Sequence, residues 1–133
     1  MNSLLGNITE ITTDGSLSLA KLKVQNTVLT SIVIDTPETA DYLKIGNNIK
    51  VFFKETEVIL AKEITGKISL QNKIDCSVHS FEKGNLLCKI ILAFGNYKIV
   101  SVITRNAFDQ LEIQENDLVT AMIKTNEISL SHD

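Results

Sequence analysis

Apolar and polar residues alternate along most of this chain, which is the pattern of β-strands that bury one face. In the first half, the runs predict five strands: Asn2–Thr12, Leu17–Val24, Val28–Ile34, Ile49–Phe53 and Val58–Leu60, the last closing the unit. The alternation slips phase between Ile8 and Ile11. Because side chains on a strand have a period of two, an odd-numbered step predicts a bulge or strong coil.

The same order of elements recurs about 70 positions later, which indicates an internal repeat. Asn2 falls on Asn72, Lys54 falls on Lys124, and a second phase slip follows Val78. The predicted strands of this second unit are Lys73–Phe81, Leu86–Phe94, Ile99–Thr104, Val119–Ile123 and Ile128–Leu130. Asn26 and Gly95-Asn96 mark equivalent hairpin turns. The ordered set of matches predicts two similar units.

Each unit is also predicted to carry one short helix between its third and fourth strands. Thr36-Pro37-Glu38 combines a hydroxyl cap, a proline and an acid, so it predicts a helix start, with an end near Leu43. Asn106–Leu111 is the counterpart. The order β-β-β-α-β-β is that of a small five-stranded Greek-key barrel of OB type. We therefore expect an all-β chain of two tightly packed OB-like barrels, over residues 1–64 and 71–133, joined by 65–70.

The composition agrees with strands and excludes several classes of partner. Ile, Val and Thr make up 38 of the 133 residues, and β-branched residues favour strands. The net charge of -3 and an aromatic content of 5% disfavour nucleic-acid binding by basic patches or by base stacking. No apolar run is long enough to span a bilayer, and residues 1–5 do not resemble a signal peptide. A cytoplasmic protein without a membrane partner is expected.

Candidate catalytic and metal-ligating residues are scarce, which predicts a non-enzyme without a cofactor or a metal cation. His79 and His132 are the two histidines, and neither belongs to a recognisable catalytic pattern. Cys76 and Cys88 have no metal-ligand spacing and are interpreted as two buried free thiols. The six glycines are dispersed singly, so there is no phosphate-binding loop.

Binding of a small anion remains open, because backbone N–H groups, hydroxyls and one or two lysines can hold a compact dianion. Lys54 and Lys124 occupy equivalent positions just after an apolar strand, although lysines that merely end a strand are common. Hydroxyl residues cluster in or at the end of the third strands, where β-propensity alone is an equally good explanation. They are Thr30, Ser31, Ser101 and Thr104.

Both units resemble the Mop or TOBE domain, a molybdate-binding OB-like module, and two in tandem resemble the di-Mop molbindins. The family's opening Asn-x-Leu-x-Gly-x-Ile is similar to residues 2–8, and more loosely to 72–78. Its Ile-Thr before the helix is similar to Ile103-Thr104, and its late Val-x-Ala-x-Ile-Lys is similar to 119–124. The resemblance spans nearly the whole chain.

The resemblance implies oxyanion contacts where positions match. In the second unit these are Ser69, Asn72, Thr104 and Lys124, and in the first unit Asn2 and Lys54. Other positions depart from the family pattern. Gln71 replaces its arginine, Ile34 its first-unit threonine, and Pro37 and Ala107 its helix-start serine. Thr125 and Glu55 replace its small residue after the lysine. Since a carboxylate repels a dianion, the second unit has retained more of the site.

The resemblance thus implies a protein that binds molybdate or tungstate for intracellular storage, buffering or homeostasis, without catalysis. The family's sites lie between barrels, which implies a homo-oligomer, with a trimer favoured. A regulatory or interaction module that has lost anion binding is the alternative. An oligonucleotide-binding OB-fold is a third hypothesis, disfavoured by the charge and the scarce aromatics.

Overall fold

The structure is a computed structural model that describes residues 1–131. Ten strands alternate with tight turns, which confirms the ten predicted ones. They are β1 Asn2–Asp14, β2 Leu17–Val24, β3 Thr27–Val33, β4 Asn48–Phe53, β5 Ile59–Ala61, β6 Asn72–Lys83, β7 Leu87–Phe94, β8 Tyr97–Thr104, β9 Leu118–Ile123 and β10 Ser129–Ser131. One helix, α1 Arg105–Leu111, follows β8, and single 3₁₀ turns cover Glu55–Glu57 and Thr125–Glu127. The expected mostly-β, two-unit architecture is therefore observed.

Alternation along the strands sorts side chains between core and solvent. In β2, Ser18, Ala20, Leu22 and Val24 are buried and the residues between them are exposed. The equivalent strand β7 buries Cys88, Ile90, Leu92 and Phe94. Burial of such apolar side chains is the main favourable contribution to folding. The period of two that predicts the strands therefore also gives the core-facing positions.

Both first strands contain the bulge that their phase slip predicts. In the pairing of β1 with β2, the register shifts between Ile8 and Glu10. In the pairing of β6 with β7, it shifts between Val78 and Ser80. An extra residue bends and twists the bulged strand, so each long first strand can pair with β4 or β9 at one end and with a hairpin partner at the other.

The fifth strands do not close their own units, which corrects the prediction for Val58–Leu60 and Ile128–Leu130. The two sheets have the orders β10-β4-β1-β2-β3 and β5-β9-β6-β7-β8. Leu60 thus pairs with Ala121, and Leu130 pairs with Val51. Each unit is completed by a strand from the other, so the two units are packed tightly, as expected. The boundaries 1–64, 65–70 and 71–133 stay a prediction.

The predicted helix in the first unit is absent, and turns replace it. The carbonyl of Thr36 accepts from the N–H groups of Thr39 and Ala40, as in one helical turn. However, the Thr39 hydroxyl accepts from the Thr36 N–H at 2.8 Å and donates to Asp35. Local side-chain hydrogen bonds of this kind compete with helix propagation. In the described residues, no helix is both long and apolar enough to cross a membrane.

Candidate functional site

An open cleft in the second unit contains two of the residues that the sequence predicts to bind an oxyanion. Ser69 and Lys124 line it together with Gln71 and Thr125, and its volume is about 370 Å³. Lys124 and Thr125 follow β9, while Ser69 and Gln71 precede β6. Because β6 and β9 are paired up to Asn72 and Ile123, the ends of both strands deliver these polar side chains to one place.

The strand exchange supplies part of the wall of this cleft. Ile59 of β5 pairs with Met122 of β9, so a first-unit side chain lines the second-unit cleft beside Ile68. Apolar walls keep part of the cleft away from water, which strengthens electrostatic interactions there. The sequence analysis missed Ile59, because no local pattern tells which sheet a three-residue strand will join.

The electrostatics of the cleft favour an anion. Lys124 is exposed, and within residues 1–131 no carboxylate forms an ion pair with its ammonium group. Thr125 has a hydroxyl group and Gln71 an amide group, both of which can donate hydrogen bonds. The cleft thus combines one positive charge with neutral donors.

Thr104 lies in an adjacent cleft. It caps α1, where its hydroxyl oxygen accepts from the Ala107 N–H at 3.0 Å. With Ala107 and Ile59 it lines a more apolar cleft of about 390 Å³. Ile59 borders both clefts. The structure therefore brings Ser69 and Lys124 together, while Thr104 stands on the other side of Ile59 with its O–H still able to donate.

Asn2 and Asn72 hold the two units together. The Asn72 side chain accepts from the Thr30 N–H at 2.6 Å and donates to the Thr30 carbonyl at 2.8 Å. Asn2 makes the same pair of bonds, both at 2.8 Å, with the backbone of Val100. Asn72 is fully buried and Asn2 is 4% exposed. Each amide therefore has its donor and acceptor engaged by the third strand of the other unit.

Ser31 and Ser101 form a second symmetric pair. The Ser31 hydroxyl donates to the Ile128 carbonyl at 2.7 Å, and the Ser101 hydroxyl donates to the Val58 carbonyl at 2.8 Å. Both serines are fully buried. Since the two carbonyls directly precede the exchanged strands β10 and β5, these bonds fasten each exchanged strand to the opposite unit. The identical pairs 70 positions apart were the signal for this role.

Lys54 is the first-unit equivalent of Lys124, but its surroundings differ. Glu55 follows it, and its carboxylate accepts from the Met1 ammonium group at 2.8 Å. This hydrogen bond lowers the pKa of the Glu55 carboxyl. Glu57 accepts from the Lys54 backbone N–H at 3.1 Å. The first unit therefore already places two carboxylates beside its lysine.

The remaining titratable candidates offer no reactive group. Cys76 and Cys88 are free and buried, as predicted, and burial raises the pKa of the Cys76 thiol to about 12. His79 is exposed on the β6 bulge, while His132 lies outside the described residues. In the described part of the chain, no group of His, Cys, Asp and Glu could hold a metal ion.

Comparisons with known proteins agree with the two-unit architecture. The TOBE domain family model matches residues 68–130. The crystal structure of the cytoplasmic molybdate-binding protein ModG with molybdate bound has a TM-score of 0.90 and 21% identity, covering 99% of this chain and 96% of that chain. A molybdate-binding protein from Sporomusa ovata is 32% identical over 44% of this chain and 88% of its own, with a TM-score of 0.43.

No curated protein sequence matches the chain significantly. The family match covers the unit that contains the Lys124 cleft, and the ModG similarity extends over both units. Residues 68–130 are therefore a TOBE domain, and the chain as a whole has the same tandem two-unit fold as ModG.

Proposed function

We propose that this chain binds a tetrahedral oxyanion, molybdate or tungstate, in the cleft formed by Ser69, Gln71, Lys124 and Thr125. The observation that carries the proposal is the composition of this cleft, with one lysine, neutral donors and no carboxylate in ion-pair contact. A dianion with four oxygens is held best by several donors around it, of which the charged one contributes most. ModG, which has the same fold, was crystallised with molybdate bound.

The role that fits such a site is storage, buffering or homeostasis of the oxyanion in the cytoplasm, without a catalytic step. The cleft has no general base or nucleophile beside the lysine. The buried Cys76 thiol, with its raised pKa, is protonated at neutral pH. A protein with these groups can bind and release an anion that it does not change.

We also propose that the chain assembles into a homo-oligomer, with a trimer favoured. Leu17, Leu19 and Ile32 are 37–46% exposed and line one small cleft on the first unit. Exposed apolar patches of this kind are typical of contact surfaces. Sedimentation equilibrium of the full chain is expected to give three times its mass of 14.7 kDa. A mass of one chain at all concentrations would contradict the proposed assembly.

The binding proposal is tested by calorimetric titration of the full chain with molybdate, tungstate and sulfate. Molybdate or tungstate is expected to release or absorb measurable heat. Lys124→Gln removes a charge-assisted hydrogen bond of about 1.5–3 kcal/mol, so affinity should fall roughly tenfold to a hundredfold. Lys23→Gln, which removes the same charge from an exposed position on β2, is the matched control and should leave affinity unchanged. Absence of heat with all three anions would contradict the proposal.

A regulatory or interaction module without anion binding is the second candidate. It is favoured by the engagement of Asn2, Asn72, Ser31 and Ser101 in hydrogen bonds between the units, which leaves few free donors. Such a module would give no heat with any oxyanion, and its assembly would be the same with and without molybdate in size-exclusion chromatography. An assembly that responds to molybdate would exclude it.

A further inference from the structure

The two lysines of the repeat occupy the same place in their units. Asn2 pairs with Phe53 in the first unit, and Asn72 pairs with Ile123 in the second. Lys54 and Lys124 directly follow these paired residues, and each begins a single 3₁₀ turn. Met1 and Gln71 directly precede the two asparagines. Any difference in anion binding between the units must therefore come from the side chains that surround equivalent lysines.

Charge is the main difference between the two places. The second unit has neutral Thr125 where the first has Glu55. The Glu55 carboxylate is 2.8 Å from the Met1 ammonium group, and the positive charge of Lys89 also stabilises its ionised form. A carboxylate is itself an oxyanion, so an ammonium group that binds it is not available to a second anion. A dianion would in addition be repelled by the carboxylate.

Geometry adds to this difference. Glu57 accepts from the Lys54 N–H, so a second carboxylate closes over the backbone of the same turn. In the second unit, Lys124 opens toward Ser69 and Gln71 across the cleft. The first-unit lysine is thus held next to two acids, whereas the second-unit lysine faces neutral donors.

We propose that each chain holds one dianion, in the second unit, and that the Glu55 carboxylate fills the equivalent place in the first unit as a built-in anion. This inference rests on the proposed oxyanion binding and deepens it, because it assigns the number and position of the sites. The first unit then serves as a structural partner, which contributes Ile59 to the second-unit cleft without binding an anion of its own.

The test is equilibrium dialysis of the full chain against tungstate up to saturation, with tungsten and protein both quantified. The expected ratio is one tungsten per chain. Lys124→Gln should weaken binding by about tenfold or more, whereas the equivalent Lys54→Gln should change affinity by less than about twofold. Two tungsten atoms per chain, or a loss on Lys54→Gln, would overturn the inference and leave the proposed function intact. No bound tungsten would instead contradict the proposed function itself.

A second variant tests the role of Glu55. Glu55→Thr gives the first unit the residue that follows Lys124 in the second, and it frees the Met1 ammonium group. The ratio should then rise from one toward two tungsten atoms per chain. A ratio that stays at one would contradict the assignment of Glu55 as the built-in anion.

Discussion

The two units use the same residues to hold each other and different residues at their open ends. Asn2 and Asn72 make identical pairs of hydrogen bonds to the third strand of the opposite unit. Glu55 and Thr125, by contrast, place opposite chemistry beside equivalent lysines. The contrast teaches that the interface between the units constrains buried polar residues strongly, whereas the strand ends are free to differ in charge.

The largest expected effect tests the shared interface. Asn72→Ala leaves the buried N–H and carbonyl of Thr30 without partners, and each unsatisfied group costs about 1–3 kcal/mol. We expect the free energy of unfolding to fall by about 3 kcal/mol, measured by urea denaturation. Asn2→Ala is the matched variant, and its effect should be smaller because its bonds to Val100 are only partly buried. A change below about 1 kcal/mol for Asn72→Ala would remove the basis for the symmetric interface.

The second prediction concerns a packing difference between the units. A Cβ atom at Gly6 would lie 3.1 Å from Val24 Cγ2 and 3.2 Å from Val51 Cγ2, whereas the equivalent of Gly6 is Cys76 and that of Val51 is Ala121. Gly6→Cys is therefore expected to lower the free energy of unfolding by about 1–3 kcal/mol. Combined with Val51→Ala, it should cost less than the sum of the two single changes. Strict additivity in a double-mutant cycle would show that the small and large residues do not compensate each other.

The third prediction addresses the helix that only the second unit forms. Thr104→Ala removes the hydroxyl that accepts from the Ala107 N–H, and loss of such a cap costs about 1 kcal/mol. Ile34 stands at the equivalent first-unit position and is 81% exposed, so Ile34→Ala should change stability by less than about 0.5 kcal/mol. Thr104→Ser retains the cap and is the control. Equal effects of the two alanine variants in urea denaturation would contradict this account of the helix.

The smallest expected effect concerns an ion pair between the units. Lys62, which follows β5, lies 3.0 Å from the Asp117 carboxylate and donates to the Glu112 carbonyl at 2.9 Å. The hydrogen bond from Lys62 lowers the pKa of Asp117 below its ordinary value of 3.8. The ionised carboxylate therefore adds stability above that pH, and this contribution is lost as the pH falls through the lowered pKa.

The test of this ion pair is the melting temperature of Lys62→Gln against that of the unaltered chain. The unaltered chain should melt higher at pH 7, and the gap should shrink as the pH falls below about 3.8. A gap that is the same at pH 7 and at acid pH would assign the stabilisation to the Lys62 bond with the Glu112 carbonyl alone.

Local pattern in the sequence was sufficient for the strands and for both bulges, because side-chain alternation is a property of neighbouring residues. It was insufficient for the exchange of the fifth strands. Leu60 and Leu130 belong to three-residue strands that fit either sheet, and only the packing of the whole chain decides between them. The first-unit helix failed for a related reason, since the good start at Thr36 is outcompeted by hydrogen bonds of Thr39.

The candidate site was predictable only in part. The lysine and serine of the second unit were found from the family resemblance, and the structure brings them into one cleft. Asn2, Asn72, Ser31 and Ser101 are polar residues whose burial depends on the opposite unit, so their hydrogen bonds across the interface could not be read from the sequence. Thr125 and Ile59 complete the cleft through tertiary packing alone.

The most direct test of the central claim is a crystal of the full chain soaked in tungstate, because the strong anomalous scattering of tungsten locates every bound anion. The account predicts tungsten within hydrogen-bonding reach of Lys124 and Ser69, and none beside Lys54. Tungsten bound at Lys54 would contradict the proposed difference between the units. A fully soaked crystal without tungsten at Lys124 would contradict the proposed site.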